Sequence, residues 1–445
     1  MTRSGETKPA LDAGDLLRSR FIAKLTFMIS GGMFIDGFIL GGVGIVMPAI
    51  TRDLALSDAW QGLIGASALI GIFIGGPLGG YLADRIGRKP MFTIDLAIFM
   101  IGSVAQFFVR DAAQLLAVRL LMGLAIGADY AIGWPLLAEF SPTRLRGKLL
   151  SVQEIGWYAG YLVAYSAGWA LIVTHSASWN VILGLSTIPT VIVFLMRLGT
   201  PESPHWLMSK GRTAEAMALA ETYMEAPERH DLAHSGEPRK GGFVRLFSPE
   251  YRRVTLFVSV FFVCNVTPYF AISTFAPIVL QHLGMQDGLT GGLVLNLVAL
   301  LGTTATAFFV EHVGRRKLGI PPFFISAAAL VAVAFFPTIP AVVVAGVLLF
   351  SFVNAVSTTL CSVYPSEVFP TEIRGTGVGF TTAVSRVGAA TGTFLLPLSM
   401  TSLGMTATMM IAAAISLAGG LVSYALAPET MGKLLSQTTG GHKAR

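Results

Sequence analysis

Long apolar stretches, separated by short polar segments, fill almost the whole chain. Most of them reach the roughly 20 residues that an α-helix needs to cross the hydrocarbon core of a bilayer. The pattern predicts twelve transmembrane helices, numbered helix 1 to helix 12 in chain order, at 22–50, 58–83, 90–109, 112–139, 148–173, 179–199, 253–282, 287–310, 318–336, 340–364, 376–400 and 403–426. We therefore expect an all-α membrane protein.

The composition agrees with a lipid environment. Of the 445 residues, 53% are hydrophobic and 13% are charged, whereas about a quarter of the residues in a soluble domain are charged. Both cysteines, Cys264 and Cys361, fall inside apolar stretches, so we expect packed side chains rather than a disulfide or a metal site. The sequence contains no recognisable nucleophile–base set, metal-ligand cluster or nucleotide-binding loop. We therefore expect no enzyme activity, no metal and no cofactor.

The basic residues are distributed unevenly. The formal net charge is +6, and 31 residues are Lys or Arg. Apart from Arg52, Arg110, Arg119 and Arg386, these residues lie in the segments that the topology places in the cytosol or within three residues of the cytosolic end of a predicted helix. This asymmetry is typical of the positive-inside rule. It predicts an integral protein of a bacterial inner or plasma membrane with both termini in the cytosol, and no nucleic-acid partner.

Three motifs occur twice at nearly the same interval. Residues 80–89 have a counterpart at 311–316, residues 139–147 at 367–375 and residues 201–203 at 428–430, with offsets of 227, 228 and 227 residues. These repeats define two halves of six helices each. We predict five regions: a cytosolic N-terminal tail (1–21), an N-terminal six-helix bundle (22–199), a cytosolic linker with short helices (200–252), a C-terminal six-helix bundle (253–426) and a cytosolic C-terminal tail (427–445).

The motifs resemble those of a known family. Residues 80–89 are similar to the signature loop between helices 2 and 3 of the major facilitator superfamily. Arg119-xxx-Gly123, the repeated Glu…Arg-Gly motifs, Pro201-Glu-Ser-Pro-His-Trp-Leu and Pro428-Glu-Thr resemble those of sugar porters and of metabolite:proton and phosphate:proton symporters. The resemblance extends over nearly the whole chain. It implies two pseudo-symmetric bundles with a substrate site between them near mid-membrane. It also implies alternating access, a small-molecule substrate, a proton gradient as the energy source, and a monomer in the bilayer.

Charged residues gather at the predicted cytosolic ends of the helices. They are Asp84, Arg85, Arg88, Glu139, Arg144 and Arg146 in the first half and Glu311, Arg315, Arg316, Glu367 and Arg374 in the second. The resemblance implies that they form a cytosolic gate in which opposite charges hold the two halves together. The alternative is that they only fix topology and cap helices, because exposed ion pairs are individually weak.

Several ionisable side chains are predicted inside the membrane, where each costs at least about 2.5–3.5 kcal/mol. Asp36 lies in the middle of helix 1 and Arg119 on helix 4. Proton-coupled sugar porters place a helix 1 acid against the Arg of the helix 4 motif. The resemblance therefore implies that Asp36 and Arg119 form the proton-coupling pair, with a static buried salt bridge as the alternative. Asp95 on helix 3 is interpreted as structural.

Asp129 on helix 4 lies in a segment that resembles a signature of phosphate:proton symporters, which would place it at the substrate cavity. Helix 7 argues against phosphate. Where those carriers have Trp, Asp and Tyr at four-residue spacing, this chain has Phe261, Asn265 and Tyr269. Sugar is also disfavoured, because most of the amides that bind hydroxyls in sugar porters are replaced. Asn265 and Tyr269 remain candidate cavity residues.

Arg386 on helix 11 indicates an anionic substrate, because the planar fork of a guanidinium fits a carboxylate. The predicted cavity also includes Glu154, Tyr158 and Tyr161 on helix 5 and Asn354 and Thr358 on helix 10. The helix 5 residues share one face at helical spacing. Alternatively, Arg386 neutralises Glu154 or Asp129 and has no role in binding, because buried ions normally pair with each other.

Taken together, these features predict a secondary transporter that takes up a small hydrophilic metabolite with a proton. The favoured substrate is a carboxylate-bearing organic acid or sugar acid. The alternatives are a sugar or polyol:proton symporter, a phosphate:proton symporter and a proton-driven exporter of drugs or metabolites. A non-transporting receptor on the same scaffold is disfavoured, because the chain has no long soluble signalling domain.

Overall fold

The computed structural model describes residues 13–197, 199–234, 243–283 and 288–433, and the secondary structure within these ranges is helical, without strands. Most of both predicted tails therefore lies outside the described residues. Helices 1 to 6 are Ala13–Asp53, Asp58–Ile86, Arg88–Ala105, Ala112–Phe140, Arg146–Val173 and Trp179–Arg197. Helices 7 to 12 are Arg252–Thr274 with its continuation Ala276–His282, Gly288–Val313, Arg315–Phe335, Pro340–Val368, Thr371–Ser402 and Gly404–Leu426.

Within the described ranges, nine of these twelve segments are long and apolar enough to cross a membrane. The other three, helices 3, 5 and 11, carry more polar side chains. Examples are Asp95, Glu154 and Arg386, and all three are buried in the bundle rather than exposed on its surface. Asp95, Glu154 and Arg386 therefore do not face the lipid.

Short helices occupy the linker between helices 6 and 7. They are Pro204–Ser209, Thr213–Tyr223 and Ala226–His234, and a 3-10 turn follows at Phe243–Phe247. The linker is tied to the loop between helices 4 and 5. Glu228 Oε1 accepts hydrogen bonds from the backbone N and the hydroxyl of Thr143, at 2.8 and 2.9 Å. Arg144 forms an ion pair with Glu225 at 3.0 Å.

The helix packing repeats between the two halves. In the first half, helix 1 packs on helix 5 and helix 2 on helix 4, and in the second half helix 7 packs on helix 11 and helix 8 on helix 10. The halves meet where helix 2 packs on helix 11 and helix 5 packs on helix 8. These two contacts exchange under the repeat, because helix 8 is the counterpart of helix 2 and helix 11 of helix 5.

Helices 2 and 4 approach so closely that some contacts exclude a side chain. A Cβ atom at Gly123 would lie 2.2 Å from the carbonyl oxygen of Ala68, and one at Gly75 would lie 2.1 Å from that of Leu124. Both neighbours are backbone atoms that cannot move without shifting a helix. The small-xxx-small spacing on these helices therefore allows backbone-to-backbone packing.

We expect Gly123→Ala to destabilise the bundle by on the order of 1–3 kcal/mol, which is the usual cost of overpacking. The measurement is the thermal unfolding midpoint of the purified protein in detergent. Gly42→Ala is the matched control, because a Cβ there meets only Leu183 Cδ2 at 3.6 Å, an ordinary contact. Equal midpoints for the two variants would contradict this account of the contact between helices 2 and 4.

Candidate functional site

A small cavity lies between the two halves of the bundle. Its volume is about 30 Å³, enough for ordered water, which needs roughly 10–15 Å³. Five of the predicted cavity residues line it, namely Glu154, Tyr158, Tyr269, Thr358 and Arg386. The cavity is thus narrow in this conformation, and a metabolite requires its walls to move apart.

Arg386 places a buried positive charge on this cavity. Its side chain is 3% exposed, and its Cζ lies 5.4 Å from the ring centre of Tyr130, 5.6 Å from that of Phe262 and 5.2 Å from that of Phe270. Three ring faces stabilise the cation partly. Its Nε and Nη1 have no hydrogen-bond partner, and Arg386 forms no ion pair within the described part of the chain. Two guanidinium donors are therefore available.

An aromatic wall faces Arg386, and most of it was not predicted from the sequence. The additional lining residues are Tyr130, Trp134, Trp157, Phe262 and Phe270, together with Met33, Val266 and Cys361. Trp157 Nε1 donates to the hydroxyl of Tyr130 at 3.1 Å, and Trp134 stacks on the same ring with 5.0 Å between centroids. The helical spacing of Phe262, Val266, Tyr269 and Phe270 could have indicated this face of helix 7.

Asn265 and Asn354, both predicted to face substrate, instead bind each other's helices. Asn265 Nδ2 donates to Ser357 Oγ at 2.6 Å, and the hydroxyl of Thr358 donates to Asn265 Oδ1 at 2.6 Å. Asn354 Nδ2 donates to the carbonyl of Asn265 at 3.1 Å. These bonds join helix 7 to helix 10. Of this group, only Thr358 reaches the cavity.

Asp129 lies in a buried ion-pair cluster in the first half of the chain. The guanidinium of Arg197, the last residue of helix 6, pairs with Asp129 at 2.9 Å and with Asp95 at 3.3 Å. Asp36 lies within electrostatic range of this cluster. Its side chain is fully buried, and neither of its oxygens has a hydrogen-bond partner in the described chain. The pairing of Asp95 and Asp129 with Arg197 was not predicted from the sequence.

The predicted ion pair between Asp36 and Arg119 is not formed in this structure. Arg119 is fully buried and donates from Nε to Ser67 Oγ at 3.2 Å and from Nη1 to the carbonyl of Ile39 at 3.4 Å. The rotation of helix 4 directs Arg119 toward helix 2. Asp129, ten residues further along the same helix, instead points toward helix 6. Tyr161 also lies outside the cavity lining, where its hydroxyl donates to the carbonyl of Ser273 at 3.4 Å.

Two predicted gate residues of the first half, Arg88 and Glu139, belong to one connected cluster. Arg88 Nη2 pairs with Glu139 Oε1 at 2.9 Å, and Ser203 Oγ donates to Glu139 Oε2 at 2.6 Å. Glu202 accepts hydrogen bonds from the backbone N of Arg88 at 3.0 Å and of Lys89 at 3.2 Å. These bonds satisfy the free amides that begin helix 3.

The second half repeats this arrangement. Arg315 Nη2 pairs with Glu367 Oε1 at 2.8 Å, and the hydroxyl of Thr430 donates to Glu367 Oε2. Glu429 accepts from the backbone N of Arg315 at 3.0 Å and of Arg316 at 3.1 Å. Each member of this cluster is the counterpart of one in the first half. The repeated sequence motifs therefore form the same contacts in both halves.

Comparison with known proteins identifies the family. Residues 24–439 match the family described as "Sugar (and other) transporter". The chain belongs to this family of major facilitator transporters. The metabolite transport proteins YgcS and YaaU of Escherichia coli are 37% and 35% identical over 94% and 97% of this chain, and over 93% and 98% of their own lengths. The niacin transporter NiaP of Acinetobacter baylyi is 28% identical over 94% of this chain and 96% of its own.

The solved structures agree on the fold. The proton:xylose symporter XylE bound to 6-bromo-6-deoxy-D-glucose superposes with a TM-score of 0.84 at 22% identity, covering 95% of this chain and 99% of XylE. The predicted fold, with twelve helices in two bundles, is confirmed. The chain is an integral membrane transporter of metabolites, and the prediction that it is not an enzyme is also confirmed.

In this transporter, contacts between described residues join the halves at the predicted cytosolic end. Arg374 Nη1 lies 3.9 Å from Glu139 Oε1, the hydroxyl of Thr376 donates to Asp84 Oδ2 at 3.4 Å, and the backbone N of Lys148 donates to Glu311 Oε1 at 3.2 Å. Two other predicted gate residues have contacts within the first half. Arg85 is exposed over the ring of Tyr81, and Arg146 is buried and donates to Thr143 Oγ1 at 3.4 Å.

His205, on the first linker helix, faces the Glu139 cluster of the transporter. Its Nδ1 is buried without a hydrogen-bond partner. Burial lowers the pKa of His205 to about 4, with Glu139 opposing the change and Arg374 and Arg88 reinforcing it. The imidazole is therefore neutral in the folded protein at physiological pH and resists protonation on acidification.

We expect His205 to make the fold less stable as the pH falls. Between about pH 6.5, the ordinary pKa of histidine, and pH 4, the unfolded chain binds a proton at this position that the folded chain does not bind, so stability is lost on acidification. The thermal midpoint of the wild type should fall more from pH 7 to pH 5 than that of His205→Gln. His175→Asn, at an exposed histidine, is the control, and an equal fall in all three proteins would exclude this role.

Proposed function

We propose that this transporter takes up a small carboxylate-bearing metabolite together with a proton. The observation that carries the proposal is Arg386, a buried guanidinium on the central cavity with two unused donors. Removing an ion from water costs several kcal/mol unless a counter-charge is provided. A substrate carboxylate supplies that counter-charge and accepts two parallel hydrogen bonds from the guanidinium.

The internal alternative, in which Arg386 is neutralised by a protein carboxylate, has less support. Asp129 is held by Arg197 at 2.9 Å. Glu154 lines the same cavity and interacts electrostatically with Arg386, but forms no ion pair with it among the described residues. Glu154 is better suited to accept a hydrogen bond from a hydroxyl of the substrate or to repel a second negative charge.

The aromatic wall suggests the shape of the substrate. Seven aromatic rings surround a cavity whose polar groups are few: Tyr130, Trp134, Trp157, Tyr158, Phe262, Tyr269 and Phe270. Such a wall favours a flat molecule that stacks on ring faces while its carboxylate meets Arg386. Niacin, a pyridine carboxylate, has this shape, and one relative is named a niacin transporter. We therefore place small aromatic acids first and sugar acids second within the carboxylate class.

A sugar or polyol is the second candidate, because relatives include an arabinose-proton symporter and a major myo-inositol transporter of Bacillus subtilis, at 27% and 24% identity. Several polar groups are required to bind several hydroxyls. In this chain the amides of Asn265 and Asn354 are engaged between helices 7 and 10. An uncharged polyol would also leave Arg386 without a counter-charge. A phosphate:proton symporter and a proton-driven exporter are weaker alternatives for the same site.

For the coupling ion, we propose that Asp36 carries the proton. A carboxylate that is fully buried and has no partner within the described chain is costly when ionised and much less costly when protonated. Acids inside membrane helices commonly form proton relays.

The contacts Arg374–Glu139, Thr376–Asp84 and Lys148–Glu311 act as the cytosolic gate and separate when the cavity opens inward. We propose further a monomer that needs no cofactor and has both termini in the cytosol.

The test is uptake of radiolabelled nicotinate, gluconate and arabinose into proteoliposomes under an imposed pH gradient. We expect gradient-dependent uptake of a carboxylate, reduced at least about thirtyfold by Arg386→Met. This follows because losing one partner of a buried charge pair costs on the order of 2 kcal/mol or more. Arg386→Lys should retain part of the uptake, and Arg110→Gln, at an exposed arginine, should retain all of it. Arabinose uptake that survives Arg386→Met would favour the sugar alternative.

A further inference from the structure

A second charged site lies beside the central cavity, in the first half of the chain. It consists of Asp36 on helix 1, Asp95 on helix 3, Asp129 on helix 4 and Arg197 at the end of helix 6, and we call it the Arg197 cluster. All four side chains are buried. The guanidinium of Arg197 also stacks over Phe92, with its Cζ 4.5 Å from the ring centre. The four helices therefore converge on one cation.

The charges of the Arg197 cluster do not balance. Three carboxylates face one guanidinium, so the cluster carries a net charge of −2 when all four groups are ionised. Two of the carboxylates are paired, since Arg197 lies 3.3 Å from Asp95 and 2.9 Å from Asp129. Buried charges require pairing, and Asp36 is left without a pair. A proton on Asp36 reduces this excess to −1 and removes the charge of the one carboxylate that Arg197 does not pair with.

Helix 1 is shaped to bring this cation close to Asp36. At Gly32, one turn before Asp36, a Cβ atom would lie 1.9 Å from Arg197 Nη2 and 2.4 Å from Asp129 Oδ2. The absence of a side chain there lets the Arg197–Asp129 pair lie directly against helix 1. Because residues four apart share a helix face, Asp36 and Gly32 both face the pair. Arg197 is therefore the cation that lies against the helix face that carries Asp36.

The cluster borders both the cavity and the gate. Met33, three residues before Asp36, and Tyr130, directly after Asp129, line the cavity. The charged or titratable groups that face Asp36 are Asp95, Asp129, Tyr130, Arg197 and Arg386. On the other side, Arg197 lies five residues before Glu202, which caps helix 3 in the Arg88–Glu139 gate cluster. One short segment therefore connects the proposed proton site to the predicted cytosolic gate.

We propose that Arg197, rather than Arg119, is the counter-charge that controls proton binding at Asp36. The inference rests on the proton-coupled function proposed above. With the proton on Asp36, Arg197 is held by Asp95 and Asp129, as in this structure. When the proton leaves the Asp36 carboxyl for water, Arg197 shifts toward the new carboxylate and loosens its bonds to the other two. Proton loss is thereby converted into a movement at the end of helix 6.

The experiment is an infrared pH titration of the protein reconstituted in lipid, which follows the C=O stretch of protonated carboxylic acids and needs no substrate. We expect a band that titrates in the wild type and is absent in Asp36→Asn. Arg197→Gln should move its midpoint to higher pH by about 1 unit or more, because an opposite charge nearby lowers the proton affinity of a carboxyl by that amount. Arg197→Lys should restore much of the wild-type value.

Asp95→Asn is a second, independent variant, in case Arg197→Gln fails to fold, and it should move the titration midpoint in the opposite direction. Removing one competing carboxylate leaves Arg197 more available to Asp36, so the midpoint should move to lower pH. Arg119→Gln tests the rival pairing. The inference would be overturned if Arg119→Gln shifted the midpoint while Arg197→Gln and Asp95→Asn left it unchanged. The lack of an Asp36-dependent band would also overturn it. A normal titration without gradient-driven uptake would instead contradict only the proposed function.

Discussion

The structure depends on how a bundle surrounded by lipid accommodates buried charge. An ionised side chain removed from water is stabilised by an ion pair, by losing its charge through proton transfer, or by a charged ligand that binds to it. All three solutions occur here. Arg88 and Glu139 are paired, Asp36 has no partner within the described chain and is proposed to hold a proton, and Arg386 keeps free donors toward a cavity between the halves. In the proposed function, the substrate and the proton supply the charges that these two side chains lack.

The internal repeat places equivalent ion pairs and helix caps in the two halves. Glu202 and Glu429 cap helices 3 and 9 in the same way, and Glu139 and Glu367 each bind an arginine and a hydroxyl from the matching position. The repeat does not extend to the functional charges. The Arg197 cluster belongs to the first half, whereas Arg386 belongs to the second. Equivalent scaffolds thus carry different chemistry, with the proposed proton site on one side and the proposed anion site on the other.

The sequence predicted the helices, the repeat and the most conspicuous charges, because a charged residue in an apolar run stands out without knowledge of the fold. It did not reveal that Arg119 lies away from Asp36 or that Arg197 lies beside helix 1, since these depend on how helix 4 is rotated and on the missing side chain at Gly32. Arg197 escaped notice because a basic residue at a predicted cytosolic helix end is what topology alone would produce. Trp134, Trp157, Phe262 and Phe270 escaped because aromatic residues in a membrane helix usually indicate packing. Their convergence on one cavity is a tertiary property.

The most direct test of the central claim is a cryo-electron microscopy structure of the transporter in lipid nanodiscs, saturated with the carboxylate that it transports best. The account predicts ligand density between Tyr130, Phe262 and Phe270, with the carboxylate within hydrogen-bond distance of the Arg386 guanidinium. A ligand bound elsewhere, with Arg386 paired to Glu154 in the same map, would contradict it.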